Sequence, residues 1–241
     1  MRPLITITLV FFSVASFIGC KEDAKIRVTH LACEYLTDPQ GIDATEPQLS
    51  WQLKSDQRGQ KQTAYHLLVA SSQEKLAKDD GDLWDSGKVE SDQSRHVEYN
   101  GKPVRSRMEC FWKVMTWDKD GTPSAWSEPA YWSMGLLEKE DWTAQWIGSP
   151  DSVTAPYYRH SFELDDIPER APIYLAALGY FELYINGEKV GNEVLAPAVS
   201  NFDERTYYQT YDVASYLKKG KNSIGIWMGT GWYSQIGRAH V

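Results

Sequence analysis

The chain is poor in cysteine and histidine, with three Cys and five His in 241 residues. The histidines (His30, His66, His96, His160 and His240) are scattered, and no metal-ligand spacing joins them to the cysteines. A nucleophile elbow and a phosphate-binding loop are also missing. So is any excess of positive charge: 25 Lys and Arg stand against 33 Asp and Glu, a formal net charge of −8. Phosphate backbones need clustered cations, so nucleic acid is excluded as a partner. Aromatic residues, by contrast, are plentiful. They make up 13% of the chain, with ten Trp and fourteen Tyr, beside an ordinary 24% of charged residues. That apolar surface is ample to offset chain entropy and excludes disorder. Seven of the ten Trp lie between Trp84 and Trp146. They read either as core and joint packing or as sugar-stacking plates. The length leaves room for one or two domains.

Residues 1–19 carry one Arg and then the apolar run Leu4–Ile18, broken only by Thr and Ser. The run is too short for a stable membrane span and reads as a signal peptide. It ends in Phe17-Ile18-Gly19-Cys20, which resembles a lipobox with a small residue before the cysteine. That resemblance makes Cys20 the lipidated first residue of the mature protein, with residues 20–26 as a linker from the membrane. The charged Lys21-Glu22-Asp23 is similar to the tag that sends Bacteroidetes lipoproteins to the outer cell surface. The implied location is a secreted or surface-anchored lipoprotein of a bacterium. Cys33 and Cys110 remain, and an oxidising compartment leaves either a bridge or two separate buried thiols open.

From Arg27, strand-like runs at Val28–Leu36, Gln48–Leu53, Ala64–Ala70, His96–Tyr99, Phe111–Trp117 and Ala130–Met134 alternate with turn residues. One short helix is expected at Gln73–Ala77, with Ser72 as its N-cap and Gly81 beyond its end. Such a pattern predicts an antiparallel sandwich over residues 27–136. Phe111–Trp117, then Asp120-Gly121 and Ser124–Pro129, resembles the end of a fibronectin type III domain. Asp118, Asp120 and Gly121 fall short of a calcium loop because no Glu completes the spacing. They are expected to form a solvated hairpin turn. The joint, residues 137–150, should pack Trp142 and Trp146 and leave Glu138, Glu140 and Asp141 in solvent. Nothing in the sequence sets two of these carboxylates facing each other, as a glycosidase needs.

The sharpest local signal is Ile173–Asn192. Phe181, Leu183 and Ile185 alternate with Tyr180, Glu182 and Tyr184, the period of a half-buried strand. Asn186-Gly187 then fits a type I′ turn, whose two central residues take positive φ, and Glu188–Val190 resumes the strand. Tyr157–Leu164, Tyr207–Tyr211 and Lys221–Trp227 are further strands, with Asp212 capping a helical turn over Val213–Leu217. The order of these elements resembles a jelly-roll carbohydrate-binding sandwich over residues 151–235. The whole chain therefore reads as all-β.

Residues 177–197, ALGYFELYINGEKVGNEVLAP, followed by residues 207–233, YYQTYDVASYLKKGKNSIGIWMGTGWY, resemble the N-terminal region of bacterial α-L-rhamnosidases of the glycoside hydrolase family 78 type. The likeness runs from about His30 to Tyr233 and takes in residues 141–148, DWTAQWIG. It implies a sandwich upstream of an (α/α)₆ catalytic barrel, and a parent enzyme that cleaves terminal α-L-rhamnosyl groups with inversion. The catalytic acids would lie in that barrel, so the present residues should have no activity alone. The resemblance points to the loop Ala198–Arg205 as a ligand site and raises calcium as a cofactor. The loop in the family usually reads Gly-Trp-Thr-Asp-Tyr, whereas Val199 and Asn201 stand at its Trp and acidic positions here. Asn186, Asn201, Asp203 and Arg205 are the expected ligand residues, for a rhamnose-containing oligo- or polysaccharide. The alternative is a structural loop. Residues 236–241 resemble the translation of a sequencing adapter, so native sequence is expected to stop near Gln235. On that reading the second sandwich is incomplete and exposes unpaired strand edges. Two other functions fit the same residues: a non-catalytic glycan-binding lipoprotein, and a related glycosidase of different sugar specificity.

Overall fold

The computed structural model describes residues 25–150, 153, 155–231 and 233. The signal peptide, the lipid-bearing Cys20 and the tail 236–241 lie outside the described residues.

Seven strands build the first domain: β1 Arg27–Cys33, β2 Gln48–Lys54, β3 Ala64–Ala70, β4 Trp84–Val89, β5 Val97–Glu98, β6 Glu109–Trp117 and β7 Ala130–Ser133. They form two antiparallel sheets, ordered β1-β2-β5 and β4-β3-β6-β7. This is the fibronectin type III-like sandwich expected. Its core is set by period-two burial. In β6, Cys110, Trp112, Val114 and Thr116 point inward and are fully buried. They meet Trp51, Leu67, Val69, Trp132 and Met134 from the strands around them. Packing therefore accounts for Trp51, Trp112 and Trp132. The short helix α1, Gln73–Ala77, begins where expected, with the Ser72 hydroxyl accepting the Lys75 N–H at 3.3 Å. Its Leu76 covers Leu68 and Ala70 on the opposite face of the larger sheet. Beside β6, Ser124 and Ser127 each bond the strand twice. Their hydroxyls accept the N–H groups of Thr116 and Val114, while their own N–H groups donate to the same residues' carbonyls.

Cys33 and Cys110 are both buried and unbridged. Burial pushes the Cys110 thiol up to about 12, so it stays protonated and inert at neutral pH. The Asp118 turn corrects one expectation. The turn forms, but the Asp118 carboxylate is completely buried rather than solvated. It accepts the N–H groups of Lys25, Asp120 and Thr122, tying the incoming linker to the β6 hairpin. Burial alone would raise its pKa; those three donors overcome that and hold it below the usual carboxylate range.

Among the described residues, six further strands belong to the second domain: β8 Tyr157–Leu164, β9 Pro172–Ala176, β10 Tyr180–Ile185, β11 Glu188–Val190, β12 Tyr208–Asp212 and β13 Gly220–Gly229. A four-stranded sheet, β11-β10-β13-β8, lies with a two-stranded ribbon, β12-β9. The predicted hairpin closes at Ile185↔Glu188, with φ of 55° at Asn186 and 90° at Gly187. Phe181, Leu183 and Ile185 pack inward on Tyr211 and Val213 of the ribbon side. The helical turn is shorter than expected, a 3-10 turn at Ala214–Tyr216, and the Asp212 carboxylate accepts the Ala214 N–H at 3.1 Å. Coverage of the inner sheet face is partial. A groove of about 320 Å³, lined mainly by apolar side chains such as Phe162, Leu164, Ile185 and Ile224, opens beside the ribbon.

Candidate functional site

The joint ties the two domains together through side chains of the second domain that reach backbone and side chains of the first. Tyr208 of β12 reaches the first domain, and its hydroxyl accepts the Leu136 N–H at 2.8 Å. Gly135 makes this possible, since a Cβ there would lie 2.0 Å from that hydroxyl and 2.8 Å from the Gly41 carbonyl oxygen. Trp142 packs edge-on against the Tyr208 ring at 5.3 Å, and the Arg107 guanidinium sits over Tyr174. Arg170 is a second tie. It pairs with Asp212 of its own domain at 2.9 Å and with Glu109 and the Tyr131 hydroxyl of the first. Burial would push the Asp212 carboxyl up. Bonds from the Ala171 N–H, Arg170 and the Ala214 N–H outweigh it and leave the group below the usual range.

The joint departs from expectation at two residues. Asp141 is only partly exposed and is engaged: it accepts from the Ser106 hydroxyl, the Arg107 guanidinium and the Glu138 N–H. Trp146 does not pack there and is 66% exposed. The pattern is chemically informative. The carboxyls of Asp82, Asp85, Asp118, Asp141, Glu182 and Asp212 are all shifted downward. A glycosidase acid requires the opposite, a carboxyl raised so that it still holds its proton near neutrality.

The four expected ligand residues do not converge. Asn201, Asp203 and Arg205 share one turn-rich loop, and all three are exposed. The Asn201 carbonyl accepts the N–H groups of Glu204 and Arg205, the Ser200 hydroxyl donates to the Arg205 carbonyl, and the Arg205 guanidinium lies 5.8 Å from the Tyr207 ring. Phe202 meets Tyr233, just beyond the Gly229 end of β13. Asn186 sits at the other end of β10, about 20 Å away at the usual rise per residue. Its amide donates to the Tyr216 carbonyl and to Asn222, and its side-chain oxygen accepts the Ser223 N–H. These bonds make Asn186 a brace of the hairpin. Calcium takes six to eight oxygens. The loop offers the Asp203 and Glu204 carboxylates and the Asn201 amide beside a guanidinium. No cluster of three or more His, Cys, Asp and Glu able to hold a metal occurs among the described residues. This donor set does not fit calcium, and the function proposed for the chain does not depend on the ion.

Sequence reasoning missed Arg170 and Tyr208, because their partners lie far away along the chain and no local pattern marks them. It also left unused the outward set Tyr180, Glu182 and Tyr184, whose alternation was legible.

Residues 28–138 match the family model described as the Rha78A-like, N-terminal immunoglobulin domain. Residues 166–240 match that of the alpha-L-rhamnosidase N-terminal domain. Among curated relatives, an alpha-L-rhamnosidase of Formosa agariphila is 37% identical over 95% of this chain and 27% of its own length. One from Streptomyces avermitilis is 45% identical over 83% of the chain and 22% of its own. The solved alpha-L-rhamnosidase from Dictyoglumus thermophilum superposes with a TM-score of 0.79 at 37% identity, over 86% of this chain and 25% of that one. That from Aspergillus terreus gives 0.73 at 30% identity, over 89% and 25%. The chain thus spans about a quarter of the length of the relatives it matches.

Proposed function

The chain is the N-terminal region of the α-L-rhamnosidase family, carrying both of its leading domains in order, and from this we propose that the whole protein hydrolyses terminal α-L-rhamnosyl groups of glycans. Residues 1–20 would supply its export signal and lipid anchor. One observation carries the reading: the match is continuous across both domains, at 37% identity over 95% of the chain, and does not rest on a single mobile module. The reaction would invert the anomeric centre, one carboxylic acid protonating the leaving oxygen while a second carboxylate activates water. Both acids would come from the part of the relatives that this chain does not span. The residues present would serve as spacer and accessory sandwich.

The test is to express the full gene and incubate its membrane fraction with an aryl α-L-rhamnopyranoside. Release of L-rhamnose, first as the β-anomer by NMR, is expected. Absence of hydrolysis, or release of another sugar only, overturns the reading.

Within this chain the loop 198–205 is assigned to a rhamnosyl end, through Asn201, Asp203 and Arg205. Its support is the loop's position and the exposed polar groups it gathers. Titration with L-rhamnose should show at least a tenfold weaker Kd for Asp203→Ala, the loss of about 1.4 kcal/mol expected for a hydrogen bond to a charged group. Equal binding by parent and variant would remove the loop from the account.

A further inference from the structure

The outer face of the sheet β11-β10-β13-β8 has a composition unlike the inner one. Register places residues in cross-strand rows. One row holds Tyr157, Trp227 and Glu182; the next holds Arg159, Gly225, Tyr184 and Lys189. Directly opposed residues in antiparallel strands share a face, so these seven side-chain positions lie together. Trp227 is 41% exposed and Tyr157 69% exposed. Their rings lie 4.7 Å apart, and Tyr184 meets Trp227 edge-on at 5.9 Å. Glu182 is fixed beside them, accepting from the Tyr184 hydroxyl at 2.7 Å and from the Lys189 ammonium at 2.6 Å. Gly225 leaves the middle of the second row without a side chain, flanked by Tyr184 and Arg159.

From this juxtaposition we propose that the outer face is a second glycan site, separate from the loop 198–205, which takes a pyranose ring of a polysaccharide chain over Gly225. A pyranose has an apolar C–H face and a rim of hydroxyls. The aromatic rings match the first, stacking as amphipathic plates with little conformational entropy to lose. Arg159, Glu182 and Lys189 match the second, because ionised donors and acceptors make the stronger hydrogen bonds to hydroxyls. The face suits a sugar better than a protein surface. Burying it under another domain would desolvate Arg159, Glu163, Glu182, Lys189 and Lys221 together, at high cost. The inner face, with half-buried Phe162, Ile224, Ile226 and Met228, is the apolar surface that further protein would cover. The shape also matters. The rings lie along an open sheet face at interplanar angles of 52° and 77°, and an open face admits a chain running across it, not just a chain end. This site does not require the parent to be a hydrolase, so its test stands apart from the activity assay.

Affinity electrophoresis of the full chain through gels containing a soluble rhamnose-rich polysaccharide tests it. The parent should be retarded relative to an empty gel. Trp227→Ala should weaken the apparent affinity about tenfold or more by removing the main plate. Gly225→Val is the second variant. A Cβ there meets the Tyr184 Cβ at 3.7 Å, an ordinary contact, and a β-branched residue suits a strand, so folding is retained while the floor is filled. Its retardation should fall by a similar factor, with mobility in the empty gel and the melting temperature unchanged. On an Asn201→Ala background, which weakens the loop 198–205, Gly225→Val should lower the remaining retardation by the same factor. No retardation of the parent, or parent-like retardation of Gly225→Val, overturns the proposal.

Discussion

Replacing Gly135 with valine should split the thermal unfolding of the chain into two transitions. The parent should melt in one, because the domains are tied at Gly135–Leu136, at Arg170 and at Trp142. The new Cβ would arrive 2.0 Å from the Tyr208 hydroxyl and 2.8 Å from the Gly41 carbonyl oxygen. Neither atom can retreat cheaply. Tyr208 is held by the Leu136 N–H and by the Trp142 and Tyr174 rings, and Gly41 is backbone pressed in turn against Thr210. Overpacking of this kind costs about 1–3 kcal/mol, and the lost hydrogen bond adds about 1 kcal/mol. Tyr208→Phe is the control. It keeps the ring and removes only the hydroxyl, so one transition should persist, lowered by about 1 kcal/mol. Calorimetry reads both. A single unshifted transition in the Gly135→Val protein would show that the contact does not couple the domains.

The second large effect is expected at Trp112. This side chain is wholly buried at the centre of the larger sheet, on a strand paired on both sides, β3 at Val69 and β7 at Ala130. Trp112→Ala should cost about 3–5 kcal/mol in urea denaturation, out of about 5–15 kcal/mol for a whole domain. Trp112→Phe should cost much less than the alanine change. The indole N–H has no hydrogen-bond partner among the described residues, so phenylalanine loses volume but also removes an unsatisfied buried donor. A loss under about 1 kcal/mol for Trp112→Ala would mean that Trp112 does not hold the core.

These cases also show where a sequence stops being legible. The β10–β11 hairpin could be read directly, because Phe181, Leu183 and Ile185 keep the period of a strand and Asn186-Gly187 has the chemistry of its turn. The strand Trp84–Val89 could not. Its sequence, Trp-Asp-Ser-Gly-Lys-Val, has no apolar alternation, Gly87 takes φ of 57°, and the pairing with β3 carries a register shift. Tertiary pairing, not propensity, makes it a strand. The interdomain ties were invisible for another reason. A Tyr hydroxyl beside a Gly far away in the sequence leaves no periodic mark. Asp141 and Asp118 show the same limit: charge alone points to solvent, whereas the assembled donors around them account for the burial of Asp118 and the partial shielding of Asp141.

The candidate sites divide in the same way. The loop 198–205 was singled out through family likeness, and its three polar residues do share one turn. Asn186 came from that likeness too, but hydrogen bonds to Tyr216, Asn222 and Ser223 occupy it at the far end of β10. The outer sheet face was half legible. Alternation told which residues of β10 point outward, while only the β8–β13–β10 register brings Tyr157 and Trp227 beside them.

The most direct test of the central claim, that the whole protein is an α-L-rhamnosidase of which these residues are the N-terminal region, is to sequence the source gene on both sides of the segment that encodes them. The account predicts an open frame of about the relatives' length, including a catalytic domain with two facing carboxylates. A genomic frame that encodes no such domain would contradict it.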